Sequence, residues 1–309
     1  MADNLDIIQQ TASLIEKMPL VISSELHSKI SKMGGWRTRF APSPTGLLHV
    51  GHAYAAYVVW QIAGSNPDKF LLRIDDLDYT RSSQTFIQQI KNDLNWLDIY
   101  WREPEIYQSE RLVRYKNALE ILQQEELIYP CYLSRTEISE FLSPPESGLS
   151  KQPHTRNLLS NSQINTRQKH GIKPAYRLDM SKAINSVGDV FWQNIDGQVN
   201  KAVPEKFGDI ILGRRDITAS YHLSVVLDDA DSNIEVVTRG NDLKQSTDIH
   251  CLLQKLLGLP SPSYFHHPLV IGKDGTKLSK THKSVPLSIF KDSEISIKNI
   301  IKETFNQKT

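Results

Sequence analysis

The spacing of apolar positions sets the first expectations for this chain. Leu5, Ile8 and Ile15, then Ile22, Leu26 and Ile30, recur at near-helical intervals, with Pro19 between the groups and Gly34-Gly35 behind them. This predicts two short amphipathic helices within residues 1–35, ended by the glycine pair. From Trp36 the period changes. WRTRFA reads as a strand, PSPTGLL as a Pro/Ser/Gly loop, about His52–Ala63 as a helix and KFLLRI as a second strand. Two strands joined through a helix form a β-α-β unit, the connection that parallel strands need. Further on, ASYHLSVVLDD and NIEVVTRG read as strands, and DLKQSTDIHCLLQKLLG as the helix after them. Strand and helix thus alternate in both halves, which predicts an α/β fold with a doubly wound parallel sheet.

Between the halves lie two helical patterns, at about 84–97 and 109–126, and the sheet pattern returns near Gly208. An α+β subdomain inserted into the sheet fits that gap. Within it, the polar, proline-dotted stretch Ser143–Lys173 reads as a loop region, while SEISIKNIIKETF near the end reads as a closing amphipathic helix. The expected division is a helical extension at 1–35, a first half-core at 36–108, an insertion at 109–207, a second half-core at 208–264 and a closing segment at 265–309.

Charge narrows the partners. Lys plus Arg total 36 against 35 Asp plus Glu, so any nucleic-acid surface must be a local basic face, for which Arg214, Arg215, Lys244, Lys280 and Lys283 are candidates. Cys131 and Cys251 are the only cysteines, which excludes a disulfide framework and suits a reducing cytoplasm. The first residues carry Asp3 and Asp6 without a basic start and apolar run, and the apolar stretch Ala53–Trp60 is too short to span a bilayer. A soluble, cytoplasmic monomer is expected.

Two segments carry chemistry. His49-Val50-Gly51-His52 falls where the first strand turns into a helix, a place where unpaired N–H groups and a positive dipole end attract anions. Gly51 lets a ligand approach the backbone there, and two imidazoles three positions apart can donate to phosphate oxygens. Alone, the same pair also suits a metal or an ordinary surface. Lys277-Leu278-Ser279-Lys280 follows the turn-like Gly272-Lys273-Asp274-Gly275 and suits a polyphosphate clamp, although a basic loop alone is usually solvated surface.

Together these segments resemble the HIGH and KMSKS signatures of the class I aminoacyl-tRNA synthetases. RFAPSPTGLLHVGHA, FLLRIDDLDYTR, RRDITASYHLSVVLDDA, EVVTRGNDLKQST and PLVIGKDGTKLSK, in that order, resemble the glutamyl/glutaminyl subgroup over roughly Trp36–Pro286. The chain ends at Thr309, soon after Lys280, and so resembles most the glutamyl-queuosine branch, a catalytic core without an anticodon-binding domain. The resemblance implies a Rossmann-type core that uses ATP and Mg²⁺ to activate L-glutamate, then transfers it to the queuosine base in the anticodon of tRNA(Asp). It implies His49, His52, Lys277 and Lys280 as groups acting on phosphate charge, with Gly51 beside the nucleotide. It also implies Arg39, Ala41, Ser43, Asp75, Tyr221 and Arg239 around the amino acid.

Asp75 stands where many members have Glu, and the glutaminyl branch also carries Asp, so glutamine stays open as a substrate. Other acceptors and a silent RNA-binding paralogue stay open too. The branch often holds zinc in a site that begins Cys-x-Cys. Here the stretch is Cys131-Tyr132-Leu133, and one thiolate cannot close a four-ligand site. No zinc is expected, with the insertion held by packing around Tyr129, Tyr132, Phe141 and Leu142.

Overall fold

The computed structural model describes residues 2–16, 18, 22–140, 153–216, 219–271, 285–291 and 296–306. The strands among them, in chain order, are β1 (Thr38–Phe40), β2 (Phe70–Ile74), β3 (Arg102–Tyr107), β4 (Ile128–Cys131), β5 (Ala175–Leu178), β6 (Phe191–Gln193), β7 (Val199–Lys201), β8 (Ile211–Gly213), β9 (Val236–Gly240) and β10 (Ser263–His267). The chain divides into two compact units, Met1–Ser109 with Asn233–Lys244 and Pro262–Thr309, and Glu110–Ser232 with Gln245–Ser261.

The first unit is built on parallel strands. β1 pairs with β2, Thr38 opposite Phe70, β2 pairs with β3, and β10 pairs with β9, Ser263 opposite Val236. β9 lies beside β1: the amides of Glu235 and Val236 both donate to the Arg37 carbonyl, at 2.9 and 3.2 Å, and Thr38 Oγ1 meets Thr238 Oγ1 at 3.2 Å. The spatial order is therefore β3-β2-β1-β9-β10. Every residue of β2 is buried, which is what helices on both faces of a parallel sheet require. The crossover helix Val50–Ile62 buries Ala53, Ala56, Val58, Val59 and Ile62, while Ser83 caps the next helix, Gln84–Trp96, at Phe86 N.

The two N-terminal helices form as their spacing predicts, at Ala2–Glu16 and Ser24–Met33. The first packs on the closing helix Ile297–Asn306, where Ile8, Ile15, Ile297 and Ile301 are buried and Lys298 and Lys302 both reach Asp98 at 2.6 Å. Gly34 ends the second helix in the left-handed region at φ 66°. Gly35 does more than end a helix. A Cβ there would lie 2.1 Å from the Ala63 carbonyl oxygen, so only glycine lets this turn pass the end of helix Val50–Ile62.

The second unit is antiparallel and helical: β4-β5-β8 form one sheet, β6-β7 a hairpin. Two sequence expectations fail here. ASYHLSVVLDD is not a strand but most of helix Tyr221–Asp231, in which Leu223, Ser224, Val225, Val226, Leu227, Asp228 and Asp229 are all buried. A helix buried nearly all round shows no stripe and imitates a core strand. The stretch read as loop contains helix Asn161–Lys169, which buries none of its residues and is set by a capping box between Ser160 and Gln163. Phe141 and Leu142 lie outside the described residues. Tyr129 and Tyr132 are buried, and Tyr129 also makes the polar bonds described below.

Candidate active site

His49-Val50-Gly51-His52 forms the start of helix Val50–Ile62, and the three-residue spacing of its imidazoles is the spacing of a capping box. His49 is the N-cap, extended at φ −120° and ψ 174°. Its Nδ1 accepts from Gly51 N at 3.1 Å, and His52 Nδ1 accepts from His49 N at 3.2 Å, with ring centroids 3.8 Å apart. Both donors are backbone amides, so both Nδ1 atoms must be unprotonated acceptors, and each neutral ring carries its proton on Nε2. The cap thus fixes two N–H donors at a helix N-terminus, where the dipole favours an anion. Pro286 bridges antiparallel to His49 and Leu287 N donates to Leu48 O at 2.9 Å, so the chain re-enters the described region against this cap. Lys277 and Lys280 lie outside the described residues, as do residues 272–275, where the sequence leads to the expectation of a turn.

The turns leaving β1 and β2 are stitched together. Asp75 N donates to Pro42 O at 3.1 Å and Ser83 N to Pro44 O at 3.2 Å, placing Ala41 and Ser43 beside the acidic turn. Asp75 takes a 2.7 Å bond from Nε of Arg73, which is buried in β2. Asp76 accepts from Ser109 N and Oγ at 2.8 and 2.7 Å. Asp78 is held ionised, below the usual carboxylate range, by the Thr80 hydroxyl and by Arg81. Asp76 and Asp78 serve as turn-forming groups, and Asp75, paired with Arg73, is the acid of the cluster that directly follows β2.

Arg39 in β1 and Arg239 in β9 are both buried. Arg39 Nη1 donates to Thr238 O at 2.9 Å. Arg239 lies over the Tyr264 ring, 5.5 Å from its centroid, and its Nε faces His266 Nε2 at 3.4 Å. Burial, followed by the charges of Arg239, Lys244 and His267, lowers the His266 pKa to about 3, so this ring is a neutral acceptor for the guanidinium. The first unit thus holds His49, Gly51, His52, Arg39, Ala41, Ser43, Asp75 and Arg239 on β1, β2, β9 and the turns beyond them. This is the edge at which open α/β sheets bind ligands.

Tyr221 belongs to the second unit, as the first residue of helix Tyr221–Asp231, with 42% of its surface exposed. That helix is held by Arg111 and Tyr115, which bond Asp228 at 2.6 and 2.9 Å. Sequence reasoning missed His266 and His250. The only signal for either was a polar ring within an otherwise apolar segment. Of the expected basic face, Arg215 donates to Leu133 O at 2.7 Å and Arg214 pairs with Asp216 at 3.1 Å, and both side chains keep part of their surface exposed.

The described residues of the insertion do not fit a structural zinc, which needs four ligands. The buried Cys131 accepts from Thr155 Oγ1 at 3.3 Å, and Leu133 is buried in an apolar cluster with Ile138. His170 Nδ1 bonds Thr166 O at 2.7 Å. His154 Nδ1 bonds Asp209 at 2.7 Å. Asp209 is the centre of this region: its carboxylate also takes bonds from the Tyr129 hydroxyl at 2.7 Å and Met180 N at 3.0 Å. Among the described residues no group of three or more His, Cys, Asp and Glu is arranged to hold a metal ion, and no helix is long and apolar enough to cross a membrane.

Residues 36–301 match the family model of the catalytic domain of class I tRNA synthetases (E and Q). The chain is 40% identical over 261 residues to a glutamyl-Q tRNA(Asp) synthetase of Rhodobacter capsulatus, covering 82% of this chain and 94% of that one. It is 35% identical over 275 residues to glutamate–tRNA ligase 2 of Syntrophus aciditrophicus, covering 84% of this chain and 54% of that one. A crystal structure of the glutamate–tRNA synthetase of Elizabethkingia anophelis superposes with a TM-score of 0.66 at 25% identity, covering 80% of this chain and 53% of that one. The chain thus spans about half the length of the glutamate–tRNA ligases it matches.

Proposed function

Since the chain belongs to the family of class I tRNA synthetases for glutamate and glutamine, we propose that it joins glutamate to ATP as glutamyl-adenylate and passes the glutamyl group to the queuosine base of tRNA(Asp). The observation that carries the first half is the paired imidazole cap. In adenylate formation the substrate carboxylate attacks the α-phosphate and pyrophosphate leaves, so charge shifts among phosphate oxygens. The Nε2–H groups of His49 and His52, held by backbone amides before any substrate arrives, are donors of the kind that stabilise such charge. Lys277 and Lys280 would add cations to the same phosphates, and Mg²⁺ would come with the nucleotide.

Arg39 and Arg239 are the cations for the carboxylates of glutamate, with Asp75 for the ammonium and Ala41, Ser43 and Tyr221 completing the surround. Halves 36–108 and 208–264 would form the catalytic core around the insertion at 109–207, in a cytoplasmic monomer. The acceptor rests on a narrower footing. It is supported by the 40% identity to a glutamyl-Q tRNA(Asp) synthetase, against 35% to glutamate–tRNA ligase 2 of Syntrophus aciditrophicus.

The decisive experiment has two arms. Pyrophosphate exchange is measured without tRNA in glutamate, glutamine and aspartate, and glutamate is expected to support it. Labelled glutamate is then offered to tRNA(Asp) with and without queuosine and the product mapped by nuclease, with label expected only in the queuosine-bearing anticodon. Exchange preferring glutamine would overturn the first half, and label at the 3′-terminal adenosine the second.

A further inference from the structure

His250 lies in helix Ser246–Leu256, three positions beyond the segment EVVTRGNDLKQST. Its imidazole is buried, and its Nε2 lies 3.2 Å from Nδ1 of His222, the neighbour of Tyr221. The three rings form one cluster, with Tyr221 centred 5.5 Å from His222 and 5.7 Å from His250, and the imidazoles 5.4 Å from each other. The helix that carries His250 is pinned, because Asp248 accepts from Trp192 Nε1 at 3.0 Å. It buries Ile249, Cys251, Leu252 and Leu253, and with them the polar Thr247, His250 and Gln254, which recur at spacings of three and four residues. Apolar residues would fill these positions without the desolvation cost of polar groups, so packing alone does not call for this stripe. A bond between two ring nitrogens, one donating and one accepting, fixes the in-plane orientation of both rings, which apolar contact would not do.

We propose that His250 is a positioning residue: through its bond to His222 it fixes the ring cluster that sets the orientation of Tyr221 toward the amino acid. This rests on the reading of Tyr221 as a glutamate contact. Tyr221 is partly exposed and begins its helix, so without a fixed wall its ring would sample several rotamers and bind substrate less often in the right one.

The test compares the full chain with His250→Phe, which keeps a ring but drops the bond, and His250→Gln, which keeps a polar partner for His222. In glutamate-dependent exchange, His250→Phe should raise KM for glutamate roughly tenfold, with kcat within about twofold, because an amino-acid contact of this kind serves ground and transition states alike. His250→Gln should recover most of the loss. Wild-type KM in His250→Phe would overturn the proposal, and so would an equal KM rise in both variants accompanied by an equal drop in Tm. Nuclear magnetic resonance of the Tyr221 ring carbons and His222 ring nitrogens gives a readout independent of activity. Both sets of signals should move in His250→Phe. If the wild-type chain fails to exchange with glutamate, the functional reading falls, and these signals alone decide the positioning: unmoved, they overturn it.

Discussion

Arg239 sits beside an imidazole that has lost its usual proton affinity, and the sign of the consequence can be worked out. The pKa of His266 is about 3 in the folded chain and about 6.5 in an unfolded one. Between those values the unfolded chain binds the extra proton, so the stabilising effect is complete above about pH 6.5 and is lost as the pH falls toward 3. Through this residue the protein should be on the order of 1–2 kcal/mol less stable at pH 5 than at pH 7, with roughly 2–4 °C in Tm for each kcal/mol. His266→Gln, which accepts without titrating, should flatten that part of the profile, while His267, whose pKa burial also lowers, contributes in the same direction in both proteins. Melting curves from pH 7 to 4 decide it, and parallel profiles for the two proteins would exclude the assignment. Arg39, Asp75 and Arg239 were legible as charged residues at or beside strand ends. The pairing of Arg239 with His266 was not, because it joins neighbouring parallel strands 27 positions apart.

At the scale of elements, the Asp209 cluster adds polar bonds to the packing around the buried Tyr129 and Tyr132. It ties Tyr129 of β4 and the start of helix Met180–Val187 to the segment carrying His154 and Thr155, whose amide donates to the Tyr129 hydroxyl at 2.9 Å. Burial meanwhile pushes the Tyr129 phenol up to about 12. Asp209→Asn should cost about 2–3 kcal/mol, since three buried or half-buried donors lose a charged acceptor. His154→Ala should cost less, because half of that side chain is exposed. Urea unfolding in zinc and in chelator should give one curve per variant, and a zinc-dependent midpoint would mean that a metal site exists here. Such a network cannot be read from the sequence, where Tyr129 and Asp209 are 80 positions apart. Where local rules dominate, the sequence was legible: the β-α-β unit at 38–74, the Gly34 cap and the closing helix all follow from period and end signals. Tyr221–Asp231 was misread because burial on every side erased its period, and Asn161–Lys169 because it carries only a cap signal and no apolar stripe.

For the molecule as a whole, the residues proposed for the phosphates and most of those proposed for the amino acid belong to the first unit, and Tyr221 belongs to the second. The chain passes from one unit to the other at Ser109–Glu110, Ser232–Asn233, Lys244–Gln245 and Ser261–Pro262, so β9 and Arg239 are delivered to the first unit by a short return between two stretches of the second. Neither unit is one continuous run of sequence, and each must close long loops to form. One site feature bears on how such a protein changes over generations. The helix start that holds His49 and His52 meets a structural need that asparagine at position 49 would meet equally well, because its side-chain oxygen can stand where His49 Nδ1 accepts from Gly51 N. His49→Asn should therefore melt within about 1 kcal/mol of the parent and yet lose roughly 10²- to 10³-fold in adenylate formation. A selection for thermal endurance alone would not see the difference, so lineages of this chain released from their reaction should drift to ordinary capping residues at position 49 while the fold persists.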